Sequence, residues 1–598
     1  IAEDRLIIDA NEEMTKDTAE KYLFVGSADG PSSPQWYASS TSSNYFLTET
    51  IWNLSNIDMG SELSENINNI LNLFYIDLGE GVGKKYRYVL NLEKYGISDK
   101  NINDIYDEIK KRGGKDKEVV DAVKKEFDEY IKKQFDISPN EIGLYTILID
   151  GAPLSSKEEY KEAVVREKTN SVKGGIKKKG EGRKYCSICQ STENVTQDFS
   201  KTKIKFYTTN QIIFASELGN YDKNMLLCQD CLNKLIAGET FIMNNLNTRL
   251  AKFYVYLIPH FIYESPMTVE DLNKIASKIS SSFNTVKNIK NVGEARDYIE
   301  GILDDPEEEN YFTINMMFYK TSQKATKVQR LIKDVNPSIF MEIADASYFA
   351  YSLGNDAIYK TYNREFSLEN IYYLTPIREK SNEALQYNNL LNIYDAIFSK
   401  RKLSRDVIIN NILEVTEIQY LEKQGYNVGS GLINFTILDG NLYIKFLEYL
   451  GCLREGKTMD TSDLKVGSDI KNYIEKMGYD EQEAAMFLLG YLVGQVGNAQ
   501  VKKSDEKKKP ILNKLNFNGI DKSKIIRLSS DVFNKLRQEK ILVYNEVVHS
   551  EYRRLLDQNI DTWNLDKHEN LFYILSGYGY ATTKPMLIKK ENGGNENE

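Results

Sequence analysis

The chain has 598 residues, 41% of them hydrophobic and 27% charged, with a net charge of −10. Such a length exceeds one hydrophobic core and implies three or four domains, and the composition is that of a soluble globular protein. The negative balance argues against general nucleic-acid binding, and a single cysteine, Cys452, outside one local cluster leaves no disulfide framework, so a reducing cytosol is the expected compartment.

The opening IAEDRLIIDA carries acids early and lacks the basic-then-apolar order of a signal peptide; it also starts without Met, as if a few residues were missing. The longest apolar runs, Phe253–Ile258 and Met486–Val493, fall far short of the roughly 20 residues needed to span a bilayer, so no membrane segment is expected. Residues 1–165 read as a mixed α/β N-terminal domain. Strands are expected at Arg5–Ile8, Lys21–Val25, Tyr86–Asn91 and Ile142–Ile149, the last ending in a turn at Asp150–Gly151. Ser27–Ser43, dense in Gly, Pro and Ser around Trp36 and Tyr37, reads as a long exposed loop. Asn101–Ile109 and Glu118–Phe135 read as amphipathic helices, the second with Val119, Val120, Val123, Phe127, Tyr130 and Ile131 on one face.

Residues 166–250 read as a basic hinge followed by a metal unit. Positions 166–184 hold eight Lys or Arg against Glu167 and Glu181, with four glycines among them. The plain reading is a charged hinge. The functional one is a clamp on phosphates through Lys177, Lys178, Lys179, Arg183 and Lys184. Next come Cys186, Cys189, Cys228 and Cys231, a C-x2-C pair, 38 residues, and a second C-x2-C pair. Two residues between cysteines let both thiolates of a turn face one ion, and two such turns supply a tetrahedral Zn²⁺ site with no position left open. The metal is therefore read as structural. The spacer holds two short strand patterns, Ile204–Thr208 and Gln211–Phe214.

Residues 251–455 read as a mixed, mostly helical middle domain. A helix is expected to leave the second cysteine pair through Leu232–Ile236, Phe241–Leu246 and Leu250–Tyr256. His260 reads as a packing histidine. Thr268 with Asp271 three residues later opens a helical stretch over 267–300. Asp304–Asn310 carries five carboxylates and reads as a solvated turn, Asn310–Tyr319 as a strand, and 325–455 as mostly helical. The cluster Lys400, Arg401, Lys402 and Arg405 reads as an exposed helix start.

Residues 456–590 read as an all-helical C-terminal bundle, and 591–598 as a disordered tail. Ile470–Met477, Glu481–Val496, Ser530–Lys540, Asn545–Leu556 and the short Glu569–Leu575 are its expected helices. Gly490, Gly494 and Gly497 recur on one face of the second, which signals close approach of another helix. No Walker turn is present. Positions 501–540 carry twelve basic residues against five acidic. The fold class is thus α+β multidomain: a mixed α/β N-terminal part, an inserted zinc-ribbon-like unit and an all-helical C-terminal bundle.

The three histidines, His260, His549 and His568, lie far apart, and neither an HD pair, H-E-x-x-H, G-x-S-x-G nor the Gly-Gly-Asp-Asp of a cyclase palm occurs. No active site is legible. IIFASELGNYDKNMLLCQDCLNKLIAGETFIMNNL (212–246), FLLGYLVGQVGNAQ (487–500), PILNKLNFNGIDKSKIIRLSSDVFNKLRQEKI (510–541) and ENLFYILSGY (569–578) resemble the large subunit of type I-B CRISPR Cascade surveillance complexes. The resemblance implies a non-catalytic subunit that reads the short motif flanking a target duplex, helps open it and steadies the displaced strand. It implies crRNA, target DNA, backbone, repeat-processing and small subunits, and a separate helicase–nuclease as partners. It also implies a C-terminal domain like the small subunit, with Met459 or Met477 as candidate internal starts. On this logic Lys502, Lys503, Lys507, Lys508 and Lys509 line a strand path that Lys522, Lys524, Arg527 and Arg537 extend. Two readings compete: a metal-dependent nuclease or divergent polymerase-palm enzyme built on the zinc unit and Asp304–Glu309, and a pure scaffold.

Overall fold

The computed structural model describes residues 5–10, 12–24, 36–38, 43–169, 185–196, 199, 202–204, 225–262, 267–303, 311–322, 325–381, 383–429, 431–501 and 510–593. The chain divides into two compact units, Ile1–Thr240 and Phe241–Glu598. It is mixed α+β with a helical C-terminal region.

In the first unit, short antiparallel strand pairs sit among helices. The helix Ser61–Phe74 buries Leu63, Ile67 and Leu71, one residue per turn, against Trp36, Ile51, Leu54 and Tyr160. The helix Asp116–Phe135 buries Val119, Val120, Val123, Phe127 and Ile131, the stripe its period implies; Val123, Phe127 and Ile131 join Leu47, Val89, Leu92 and Ile102 in a second small core. Tyr75–Asp77 pairs with Tyr88–Leu90 as a hairpin. Three expectations fail here. Trp36 is not on an exposed loop: it is fully buried, edge-on to Tyr160 with ring centroids 5.9 Å apart, and its neighbour Tyr37 pairs with Thr146. Lys21 lies in a helix, Lys16–Tyr22, capped by Thr15, and the described part of Arg5–Ile8 is not strand. The Asp150–Gly151 turn is present, both residues at positive φ, but the segment before it is two short strands, Tyr145–Thr146 and Leu148–Ile149.

The second unit opens with a four-stranded antiparallel sheet in the order Ala325–Val335, Phe312–Ser322, Phe253–Phe261, Asn247–Leu250. The helices Val269–Lys287 and Val292–Leu303 are inserted between its second and third strands in sequence, and Thr268 caps the first reciprocally with Asp271. Leu250–Tyr256, expected to be helix, is therefore a strand and its turn, and the stretch from 325 begins as strand. Phe253, Val255, Tyr256 and Leu257 are all buried, so side chains on both faces of this strand are covered and the apolar run shows no alternation. His260 is not packed in a core; it is exposed at the far end of the same strand, with Nδ1 3.1 Å from Asp334 Oδ1.

One core runs from the sheet through the helices Ile339–Ala357, Arg405–Tyr420, Ile433–Tyr449 and Glu481–Val501 to the last helix, Lys567–Gly593. That last helix extends well beyond the short segment expected. The glycine-faced helix packs on it backbone to backbone: a Cβ on Gly490 would lie 1.8 Å from the Ile574 carbonyl oxygen, and one on Gly577 would lie 1.9 Å from that of Phe487. The cluster at Lys400–Arg405 is engaged internally. Lys400 pairs with Glu342 at 2.5 Å, Arg401 with Asp395 at 2.7 Å, and Arg405 with the buried Glu448. The strand path expected at 502–509, the hinge from 170 to 184, the tail from 594, the acids Asp304–Glu309 and the spacer strands beyond Ile204 lie outside the described residues; Ile204 itself is not in a strand, residues 166–169 of the expected hinge close the helix Glu158–Thr169, and residues 591–593 of the expected tail end the last helix.

Candidate metal centre and basic surfaces

The first cysteine pair sits in a tight turn. Gln190 N–H donates to the Cys186 carbonyl at 3.0 Å, and Gln190 takes a positive φ of 61° to close it. The second pair straddles a helix start: Cys228 immediately precedes the helix Gln229–Asn245, and Cys231 lies in its first turn. Two backbone links hold turn and helix together. Ser187 N–H donates to the Leu226 carbonyl at 2.7 Å, and Thr196 and Leu227 exchange hydrogen bonds at 2.8 and 3.1 Å. Leu227, Leu232 and Phe199 form a small core beneath.

This brings the four sulfurs within 4.8 Å of one another, with Cys189 and Cys228 Sγ 3.5 Å apart. Four thiolates about 2.3 Å from a tetrahedral ion would stand about 3.8 Å apart, so the set fits a metal ion such as zinc. Burial pushes the Cys186 thiol up, but the N–H groups of Cys189, Cys228 and Ile188 outweigh it and bring the thiol down to about 6. N–H groups aimed at a sulfur stabilise the thiolate, the form that binds metal. Burial and the neighbouring sulfurs push the Cys231 thiol up to about 12. Cys452 is separate, fully buried in the second unit.

Of the expected nucleic-acid residues, Lys522, Lys524, Arg527 and Arg537 are described, and all lie on the helix Lys522–Gln538. Ile525, Leu528, Ser529, Val532 and Leu536 bury one side of this helix, which leaves the basic residues on the other. Lys524 pairs with Asp521 at 3.3 Å; Lys522, Arg527 and Arg537 have no carboxylate within ion-pair distance among the described residues. The one acid on that exposed side, Asp531, is engaged by Lys514 at 3.4 Å. Lys177, Lys178, Lys179, Arg183, Lys184, Lys502, Lys503, Lys507, Lys508 and Lys509 lie outside the described residues. A further cationic surface, Lys84 and Lys85 at a hairpin tip, was not singled out from the sequence, although the run GEGVGKK marks it. Among the described residues no helix is long and apolar enough to cross a membrane.

Comparison with family models gives three matches in chain order. The N-terminal domain of CRISPR-associated protein TM1802 matches residues 3–166, its central domain 183–335 and its C-terminal domain 366–592. The central match contains all four clustered cysteines and ends with the last strand of the sheet; the C-terminal match covers most of the helical region. A search of curated proteins finds no match. The chain belongs to the CRISPR-associated protein TM1802 family, the type I-B large-subunit family that its sequence blocks resemble.

Proposed function

We propose that the chain is the non-catalytic large subunit of an RNA-guided type I-B interference complex in the cytoplasm. It binds target DNA, reads the flanking motif, helps open the duplex and steadies the displaced strand. Its partners are crRNA, the backbone, repeat-processing and small subunits, and a separate helicase–nuclease. The observation that carries the reading is the basic face of the helix Lys522–Gln538, where three cations stand without carboxylate partners among the described residues, in a chain of net charge −10. When guide pairing supplies sequence recognition, the protein needs only local patches of Lys and Arg against phosphates, not a globally basic surface. The cysteine cluster is read as a structural Zn²⁺ knot that fixes its local unit.

The test is duplex binding by the assembled complex across a salt series. Neutralising Lys522, Arg527 and Arg537 should weaken binding and reduce the slope of log affinity against log salt by about three. An unchanged slope counts against the reading. The absence of catalysis is tested separately, by incubating the purified chain with Mg²⁺ or Mn²⁺ and labelled DNA or RNA. Cleavage abolished by a carboxylate substitution would make the chain an enzyme.

A further inference from the structure

The four clustered sulfurs differ in their access to solvent. Cys186, Cys228 and Cys231 are 1%, 6% and 7% exposed, whereas Cys189 lies on the outside of its turn, in an unbroken exposed run from Ser187 to Gln190. Oxidation of a cysteine needs a thiolate that an oxidant can reach. Coordination supplies the thiolate, because a thiol that binds a metal ion is deprotonated, and the turn supplies the access. Cys452 meets neither condition. It is fully buried, its thiol faces the Ala396 carbonyl at 3.7 Å, and burial pushes that thiol up to about 11.

A second sulfur stands beside Cys189. Cys228 Sγ is 3.5 Å away and buried, so it is sheltered from solvent yet in contact with the exposed thiol. A disulfide bond is about 2.0 Å long, so this pair closes by a shift of about 1.5 Å. The two cysteines belong to different halves of the unit, Cys189 to the turn and Cys228 to the residue before the helix Gln229–Asn245. The hydrogen bonds of Ser187 with Leu226 and of Thr196 with Leu227 hold those halves together beside the ion. A bond between Cys189 and Cys228 removes one ligand from each C-x2-C pair. Cys186 and Cys231 remain, two sulfurs where a structural zinc takes four.

We propose that Cys189 is an oxidation site, the sensor thiol for a peroxide, and that Cys228 is its resolving partner, so that a peroxide exchanges the metal knot for a disulfide. The Cys189 thiolate attacks the peroxide; a sulfur–oxygen bond forms, the oxygen–oxygen bond breaks and hydroxide leaves. Cys189 is thereby oxidised to the sulfenic acid and the peroxide is reduced. The Cys228 thiolate then attacks the Cys189 sulfur; the disulfide forms and a second hydroxide leaves. A thiol reductant reverses the change and restores four ligands. The inference rests on the structural-zinc reading above and adds to it a redox response seated on one exposed ligand.

The test takes the full-length chain, reduced and loaded with zinc, through a hydrogen peroxide series. Readouts are zinc released to a chromogenic chelator, a disulfide map of peptides by mass spectrometry, and zinc regained on adding a dithiol reductant with the metal. Release should rise in step with a Cys189–Cys228 bond, and both should reverse on reduction. Cys452→Ala should behave as the wild type does. Cys189→His offers an imidazole as the fourth ligand and forms no disulfide, so it should release zinc about tenfold more slowly or less. Zinc kept throughout the series, release without the Cys189–Cys228 bond, a bond between other cysteines in its place, or release from zinc-loaded Cys189→His at the wild-type rate each overturn the sensor and leave the structural zinc standing. A reduced wild-type chain that takes up no zinc overturns both. Where Cys189→His itself takes up no zinc, the peptide map of the oxidised wild type decides alone.

Discussion

Gly490 and Gly238 have the same side chain and opposite roles. At Gly490 a methyl group would enter the carbonyl of Ile574, an atom of a helix backbone that has no rotamer to swing aside. Gly490→Ala is expected to destabilise by about 3 kcal/mol or more, the upper range for overpacking a core. Gly238 lies in the helix Gln229–Asn245, exposed, with nothing within 4 Å of a built Cβ. Gly238→Ala is expected to stabilise by about 1 kcal/mol through helix propensity alone. Thermal melts of the two variants should move in opposite directions. The cysteines make the complementary point: Cys228→Ser should lower bound zinc and loosen the local unit, because binding energy at such a site is folding energy, while Cys452→Ala should leave metal content unchanged. Equal metal content in Cys228→Ser and wild type refutes the assignment. The cysteine set was legible because its spacing is local chemistry. Trp36 was not, since its burial depends on Ile51, Leu54 and Tyr160, partners distant in the chain.

At the scale of elements, legibility followed the amphipathic period. The helix Asp116–Phe135 has one buried stripe, and its face was read correctly from spacing. The last helix, Lys567–Gly593, is buried nearly all round from Leu571 to Thr583, so it has no stripe to detect, and Gly577, Gly579 and Pro585 are residues of low helix propensity. The start of the helix Glu481–Val501 carries a consequence of similar burial. Asp480 and Glu483 cap it reciprocally, each N–H donating to the other's carboxylate at 2.9 Å, and the Tyr573 hydroxyl donates to Glu483. Burial lifts the Glu483 carboxyl from 4.5 to about 7, against the pull of the Tyr573 hydroxyl, the Asp480 N–H and the Arg405 charge. Between those values the folded chain holds a proton that the unfolded chain has released. This contribution is full below pH 4.5 and is lost as pH rises to about 7, worth about 3 kcal/mol at most. Glu483→Gln should flatten the stability profile across that window. The same profile in both proteins would mean that the carboxyl is ionised throughout.

For the whole molecule, the order of helices says little about which of them share a core. The sequence sets off residues from 456 as a helical bundle, whereas burial in the second unit is continuous from Leu246 to Tyr580. Much of the join is polar as well as apolar. Asn441 donates through Nδ2 to Ser576 Oγ at 2.8 Å and accepts the Tyr479 hydroxyl on Oδ1 at 2.5 Å, while Asn434 Nδ2 donates to Thr583 Oγ1 at 2.7 Å. All of these atoms are buried, and a Cβ on Gly579 would press on Ile437 at 2.6 Å. A chain beginning at Met459 would keep Tyr479, Ser576, Thr583 and the glycine seam but lose the helix Ile433–Tyr449 that completes them. Each buried hydroxyl left without a partner costs about 1–3 kcal/mol, in addition to the apolar surface laid bare. A fragment 459–598 is therefore expected to melt well below a fragment 241–598 and to bind a hydrophobic dye, unless another helix supplies the missing face. A chain starting at Met477 would fare worse, since it also lacks Ile470, Tyr473 and Ile474, all buried in the same core. Calorimetry of the three fragments decides the matter: equal melting temperatures would mean that the C-terminal helices hold a core of their own and that the polar join contributes nothing.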